Sequence, residues 1–125
     1  MAEVKIKDVQ KKFGSILALD AIDLTIHDNE FVVLVGPSGS GKSTLLRIIA
    51  GLERETHGTV SINGEAMAGV APKNRDVAMV FQSHALYPHM NVYDNLAFNQ
   101  RIRGVARKQV DDKVREVAER LEITD

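Results

Sequence analysis

The sequence predicts an α/β fold, and three patterns in the chain of 125 residues support this prediction. Segments near the N-terminus alternate apolar and polar residues, as half-buried strands do. Residues 31–35 form a continuous apolar run, which is typical of a strand buried on both faces. A helical pattern of apolar residues follows from residue 42. We therefore expect peripheral antiparallel strands beside a central parallel sheet that carries helices.

A glycine-rich motif joins the apolar run to the helical segment. Gly36-x-x-x-x-Gly41-Lys42-Ser43 matches the P-loop pattern at each fixed position, between a strand-like run and a helix. Glycines let consecutive backbone amides approach phosphate oxygens, and the free amides at the start of the helix attract the same anion. Lys42 is expected to reach the β- and γ-phosphates, and the Ser43 hydroxyl is expected to ligate Mg²⁺. The predicted loop contacts are Gly36, Pro37, Ser38, Gly39, Ser40, Gly41, Lys42, Ser43 and Thr44.

Composition restricts the class of protein without revealing its function. A chain of this length can bury one core, and its net charge of −1 argues against a nucleic-acid-binding surface. Cysteine is absent, which excludes disulfides and thiolate metal sites. The four histidines lack metal-ligand spacing, so surface positions are expected for them. No apolar run approaches the roughly 20 residues of a membrane-spanning helix, so any membrane contact is expected to pass through a partner.

Strand and turn signals occur on both sides of the P-loop. Asn63-Gly64 predicts a two-residue hairpin turn, because a type I′ turn needs positive φ at both central residues. Lys11 to Ser15 resembles a turn that contains one aromatic residue. Strands are predicted at residues 4–9, 17–26, 31–35 and 77–81, with a hairpin at 58–65.

Three helices are predicted, and each has an end signal. The first covers residues 42–50, with Gly51 in the position of a left-handed cap. The second begins at Asn91, a favourable N-cap, and stops near Gly104. The third covers residues 108–121, where one face is expected to carry Val110, Val114, Val117 and Leu121.

Two longer stretches identify a family resemblance. Gly-Pro-Ser-Gly-Ser-Gly-Lys-Ser-Thr-Leu-Leu-Arg-Ile-Ile-Ala-Gly-Leu at 36–52 and Val-Ala-Met-Val-Phe-Gln at 77–82, with Gly-Thr-Val at 58–60 and Asn-Gly at 63–64 between them, closely resemble the ATP-binding subunits of ABC transporters. Residues 75–90 look most like the subfamily that energises bacterial sugar and sugar-phosphate importers. The resemblance covers the whole chain.

The resemblance implies a domain organisation. The chain would be the N-terminal part of one ABC-type ATP-binding domain, with a P-loop NTPase core of the RecA-like kind, incomplete at this length. Residues 1–30 and 56–68 would form its antiparallel β part. Residues 31–55 and 69–83 would form the P-loop core and the Q-loop strand, and residues 84–125 the start of a helical subdomain.

The resemblance also implies roles for residues outside the P-loop. Phe13 matches the aromatic residue that stacks on adenine; the alternative is a core phenylalanine at a strand end. Gln82 matches the Q-loop glutamine, which with Lys42 would serve catalysis by approaching Mg²⁺ and the attacking water; the alternative is a polar residue that ends a strand. The residues that would face the coupling helix of a membrane partner are Leu86, Tyr87, Pro88 and Met90.

Several family motifs do not occur in the sequence. It lacks the Leu-Ser-Gly-Gly-Gln signature, a Walker B strand that ends in Asp-Glu, and the switch histidine beyond it. The one near match to Walker B, Leu-Ala-Leu-Asp at 17–20, precedes the P-loop, so a peripheral strand is predicted there. Hydrolysis needs a carboxylate that orients water, so we expect this chain alone to bind Mg·ATP weakly and to turn over negligibly. Unpaired sheet edges are expected to make it aggregate or depend on a remaining half.

Three functional hypotheses follow. The favoured one is the motor subunit of an ATP-driven importer, peripheral at the cytoplasmic face of the plasma membrane. Two such subunits would close head to tail on ATP, and residues 82–90 would contact the transmembrane permease subunits. The alternatives are a complete, non-catalytic nucleotide-binding regulatory module and a small-molecule kinase; the sequence near Gln82 argues against the kinase. The solute is expected to be a sugar or sugar phosphate, and other subunits would select it.

Overall fold

The computed structural model describes residues 2–82 and 86–124. The chain divides into two compact units, Met1–Met79 and Val80–Asp125. The first unit holds the sheet, the P-loop, one α-helix and a short 3-10 helix at Pro72–Asn74, and the second unit holds two α-helices. The predicted α/β class is confirmed, with antiparallel rather than parallel strands in the part of the chain that the structure describes.

An antiparallel sheet forms the frame of the first unit. Its strands are β1 (Val4–Phe13), β2 (Ile16–Ile26), β3 (His57–Ile62) and β4 (Glu65–Ala66), in the order β2-β1-β3-β4. β1 extends to Phe13, so the predicted turn at 11–15 was too long and the turn itself holds Gly14 and Ser15. Lys11 and Lys12 pair with Leu19 and Leu17 of β2, and because strand pairing joins backbone groups, the charged side chains do not end the strand.

The hairpin between β3 and β4 confirms the turn prediction. Asn63 and Gly64 both have positive φ, 51° and 80°, as a type I′ turn requires. The near match to Walker B at 17–20 lies within β2, an edge strand of the sheet, as predicted. The local signals for these turns and strands were therefore sufficient without knowledge of the rest of the fold.

One helix, α1 (Lys42–Ala50), packs on this sheet. Gly51 ends it with φ of 77°, which confirms the predicted left-handed cap. Leu45 and Ile48 face the sheet and join a buried cluster, whereas Leu46 is half exposed on the other side of the helix. The other buried members of this core are Ile6, Val9, Leu19, Val60, Ile62 and Met67. The core fixes the start of α1, and hence the P-loop, against the sheet.

The predicted strands at 31–35 and 77–81 are not formed, so these two predictions were wrong for this structure. Phe31 is 91% exposed and Val80 is 96% exposed, and only Leu34 and Val77 of the two segments pack against the core. An apolar run favours burial, but a strand also needs a neighbour that accepts its backbone hydrogen bonds. No strand within the described ranges pairs with either segment.

The second unit is a pair of helices, α2 (Val92–Ile102) and α3 (Arg107–Arg120). Asn91 caps α2 as predicted: its side-chain oxygen accepts a hydrogen bond from the Asp94 amide at 2.7 Å. Ala97, Val110 and Val114 form a small core between the helices. Leu121 was predicted on the same buried face, but it lies beyond the end of α3 and is 58% exposed. Because α3 ends at Arg120, Leu121 is not held on the buried face of the helix.

Candidate nucleotide-binding site

The Lys42 side chain folds back into the P-loop. Its Nζ donates hydrogen bonds to the carbonyl oxygens of Gly36 at 2.8 Å and Pro37 at 2.6 Å, and to Ser40 Oγ at 3.0 Å. An ammonium group has three donors, and this loop satisfies all three with uncharged acceptors. A phosphate oxygen is a charged acceptor and binds an ammonium roughly twice as strongly as a neutral one. The loop therefore holds its cation in position for exchange onto an anion.

Gly41 is the point at which the loop touches the sheet. Its φ is 88°, and a Cβ built there would lie 2.6 Å from the Ala18 carbonyl oxygen and 2.6 Å from Leu19 Cδ2. Both conditions exclude a side chain, because the backbone angle is left-handed and atoms of β2 already occupy the space that a Cβ would need. Gly39 also has positive φ, 80°, but a Cβ there would meet nothing within 4 Å. Gly41 therefore fixes the start of α1 against β2, whereas Gly39 only shapes the loop.

Free donors face solvent at the start of α1. The first helical hydrogen bond runs from the Leu45 amide to the Gly41 carbonyl, and within residues 2–82 and 86–124 no side chain caps this end of the helix. The amides of residues 42–44 thus have no helical partner, and the helix dipole adds positive potential there. The loop residues Gly36, Pro37, Ser38, Gly39 and Ser40 are exposed, as is Ser43, and Thr44 is half-buried. These donors suit a phosphate chain, and the exposed Ser43 hydroxyl suits a hard cation such as Mg²⁺.

Phe13 lies at the end of β1 and is 46% exposed, so it is not the core phenylalanine of the alternative interpretation. Lys11 Nζ lies 4.7 Å from the centre of its ring. The same ammonium donates to Glu53 Oε1 at 2.7 Å and to the Arg54 carbonyl at 2.8 Å. Lys11 therefore covers one face of the aromatic ring as a fixed cation, and sequence analysis did not identify this contact.

The sheet register brings Phe13 and the P-loop to the same end of β2. Phe13 pairs with Ile16, and Ala18, whose carbonyl abuts Gly41, follows Ile16 by two residues. Two residues of strand span about 7 Å. The aromatic ring and the phosphate loop are thus on neighbouring parts of one unit. This proximity of Phe13 to the P-loop depends on the register of the β1–β2 hairpin and on the contact of Gly41 with Ala18. Sequence patterns alone do not specify either.

Gln82 and the predicted partner-contact residues belong to the second unit. Gln82 is exposed and lies in a turn, and Leu86, Tyr87 and Pro88 are exposed as well. The predicted apolar surface is therefore exposed at these positions, while Met90 is half-buried. Residues 83–85, which include His84, lie outside the described part of the chain.

Asn95 organises this loop, and sequence analysis missed it. Its Oδ1 accepts a hydrogen bond from the Tyr87 amide at 2.8 Å, and its Nδ2 lies 3.1 Å from the Met90 carbonyl and 2.9 Å from the Asn91 carbonyl. Asparagine offers both a donor and an acceptor, so a single side chain can satisfy several backbone groups of one turn. The signal was an asparagine inside a predicted helix, where it is otherwise unfavourable.

Arg75 is the buried charge of the first unit. Its side chain is 8% exposed, and its guanidinium donates to the carbonyl oxygens of Ile48, Ile49, Met67 and Val70 at 2.8–3.0 Å. It thereby joins the end of α1 to the segment that leaves the sheet. Sequence analysis did not predict this role, because all four acceptors are backbone atoms, which every residue type carries.

Within the described ranges, no group of three or more His, Asp or Glu residues could hold a metal ion. The helices described here are all too short or too polar to cross a membrane.

Comparisons with known proteins show which family the chain resembles. A family model described as "ABC transporter" matches residues 19–125. The alpha-glucoside transport ATP-binding protein of Rhizobium meliloti is 52% identical over 99% of this chain and 34% of its own length. An sn-glycerol-3-phosphate import ATP-binding protein of Rhizobium etli is 54% identical over 98% of the chain and 35% of its length. The trehalose/maltose import ATP-binding protein of Thermococcus litoralis is 50% identical over 100% of this chain and 35% of its own length. The chain therefore spans about a third of the length of each of these relatives.

Proposed function

Because this chain belongs to the ABC transporter family, we propose that it supplies the adenine- and phosphate-binding part of an importer's ATP-binding subunit. The observation that carries the proposal is the P-loop itself, where Lys42 is held by neutral acceptors beside the free amides of α1. The names of the relatives refer to glucosides, maltose and glycerol phosphate. A sugar or a sugar phosphate is therefore the proposed solute.

ATP binding would exchange the internal contacts of the loop for contacts to phosphate. Lys42 Nζ would leave the Gly36 and Pro37 carbonyls for the β- and γ-phosphate oxygens, since charged acceptors bind it more strongly. Adenine would stack on the face of Phe13 that Lys11 leaves open. Ser43 would ligate the Mg²⁺ that accompanies the nucleotide, and this ion would neutralise charge on the phosphates.

Hydrolysis would be a property of the complete gene product. Gln82 would approach Mg²⁺ and the attacking water, and Lys42 would stabilise charge on the transferred phosphoryl group. Residues 82–90 would contact the transmembrane permease subunits, and a second ATP-binding subunit would close on the first, head to tail. The proposed location is the cytoplasmic face of the membrane, as a peripheral subunit.

Equilibrium binding of Mg·ATP to the complete gene product tests the proposal. Lys42→Ala removes the cation of the loop, and we expect its affinity to fall about 50-fold, as loss of a charge-assisted phosphate contact predicts. Lys73→Ala is the matched control, because Lys73 is exposed and distant in sequence from the loop. Equal affinities of the two variants would refute the assigned role of the P-loop.

A second measurement separates the importer from the regulatory module. If the reading frame continues past residue 125 into a Leu-Ser-Gly-Gly-Gln signature and a strand that ends in Asp-Glu, the complete gene product should hydrolyse ATP, and Lys42→Ala should abolish turnover. The 125-residue chain alone should bind the nucleotide with negligible turnover. Phosphate release by that short chain at rates typical of ATPases would contradict the proposal.

A further inference from the structure

A charged cleft lies within the second unit, between α2 and α3. Its volume is about 770 Å³, which falls in the range of small-molecule sites. Tyr93, Asp94 and Arg101 line it from α2, and Arg107, Asp111 and Arg115 line it from α3. The three α3 residues are spaced four apart, so they share one face of the helix. Three arginines and two aspartates give the cleft a net charge of +1.

Ion pairs and hydrogen bonds among the side chains that line the cleft leave two of its three arginines without a partner. Arg101 Nη1 pairs with Asp94 Oδ1 at 2.8 Å. The Asp111 carboxylate accepts the Tyr93 hydroxyl hydrogen bond, although arginines flank it four residues away on both sides. The side chains of Arg107 and Arg115 form no ion pair or hydrogen bond with any residue that the structure describes. Both acids of the cleft are thus engaged, while two guanidinium groups keep their donors free.

The Tyr93 hydroxyl remains a donor under physiological conditions. The hydrogen bond to Asp111 raises the pKa of Tyr93 above its ordinary value, and the positive charges of Arg107 and Arg101 oppose that shift. Val105 and Val110 supply an apolar part of the wall. The cleft therefore combines free guanidinium groups with an apolar surface.

We propose that this cleft binds the phosphoryl group of a small organic phosphate monoester, separately from the P-loop. Planar guanidinium groups match phosphate oxygens in pairs, and Arg107 and Arg115 each offer such a pair. A bare phosphate ion would leave most of the cleft unfilled, whereas the organic part of an ester would cover the valine wall. The cleft lies entirely within Val80–Asp125, so the site needs no residue of the P-loop unit.

Calorimetric titration of the complete gene product, with Mg²⁺ and a saturating non-hydrolysable ATP analogue present to fill the P-loop, tests this site. The probes are glucose 6-phosphate, inorganic phosphate and glucose. We expect glucose 6-phosphate to bind with Kd on the order of 0.1–1 mM, phosphate about tenfold more weakly, and glucose not measurably. Equal binding by phosphate and the ester would reduce the proposal to a bare anion site and refute the organic part. Absence of saturable binding by both would refute the site.

A pair of double variants separates specific contacts from general charge. Arg107→Gln with Arg115→Gln should weaken binding of glucose 6-phosphate at least tenfold. Arg103→Gln with Lys108→Gln removes the same charge from exposed side chains that do not line the cleft, and it should change affinity less than about twofold. All four residues are exposed, so neither variant is expected to unfold. Equal losses in both would show only long-range attraction and refute the assignment.

Discussion

Arg75→Met removes the guanidinium that joins the end of α1 to residues 67–70. Four hydrogen bonds from a charged donor are lost, and each is worth about 1.5–3 kcal/mol. Burying a guanidinium without a carboxylate costs several kcal/mol, which offsets much of that sum. The Ile48 and Met67 carbonyls also keep a backbone donor each, from the amides of Gly51 and Val70. We therefore expect a net destabilisation of about 3 kcal/mol, local to this junction.

Amide hydrogen exchange of the complete gene product measures this local effect without assuming two-state unfolding. Peptides that cover α1 and residues 67–70 should exchange about 100-fold faster in Arg75→Met, since 1.4 kcal/mol corresponds to a factor of ten. Arg54→Met is the control, because the Arg54 side chain is exposed and Arg54 contacts Lys11 and Glu53 through its backbone carbonyl and amide. Unchanged exchange in Arg75→Met, or the same change in both variants, would refute the role assigned to Arg75.

Two further predictions concern the P-loop and the lysine that covers Phe13. Gly41→Ala should destabilise α1 by about 3–4 kcal/mol, because the new side chain would require a left-handed φ and would clash with β2. Gly39→Ala should cost only about 1 kcal/mol, because only the φ angle is unfavourable there. Equal rates of hydrogen exchange for the α1 amides in the two variants would contradict this difference. The hydrogen bond from Lys11 lowers the pKa of Glu53, so the pair should contribute stability above the unfolded-state pKa of about 4.3 and lose it as pH falls through the lower folded value. A carboxyl NMR titration should show the pKa of Glu53 rising toward its ordinary value in Lys11→Met but not in Lys12→Met, and no difference would refute the assigned cause.

The sequence alone determined the elements that depend on a few neighbouring residues. The P-loop, the left-handed cap at Gly51, the type I′ turn at Asn63-Gly64 and the N-cap at Asn91 all follow from local backbone angles and short-range hydrogen bonds. These are properties of residue types in a fixed spacing, so distant parts of the chain are not needed to predict them. The same holds for the identity of Lys42 as the loop cation.

Only the tertiary structure decided which apolar segments are buried and what the charged side chains contact. Residues 31–35 read as a buried strand, but strand formation depends on a neighbour with free backbone groups, and an apolar run does not specify one. The contacts of Lys11 with Phe13 and of Arg75 with four carbonyls depend on pairings between segments that are remote in sequence. Local patterns thus determine turns, caps and the phosphate loop, whereas pairing and burial are properties of the folded chain.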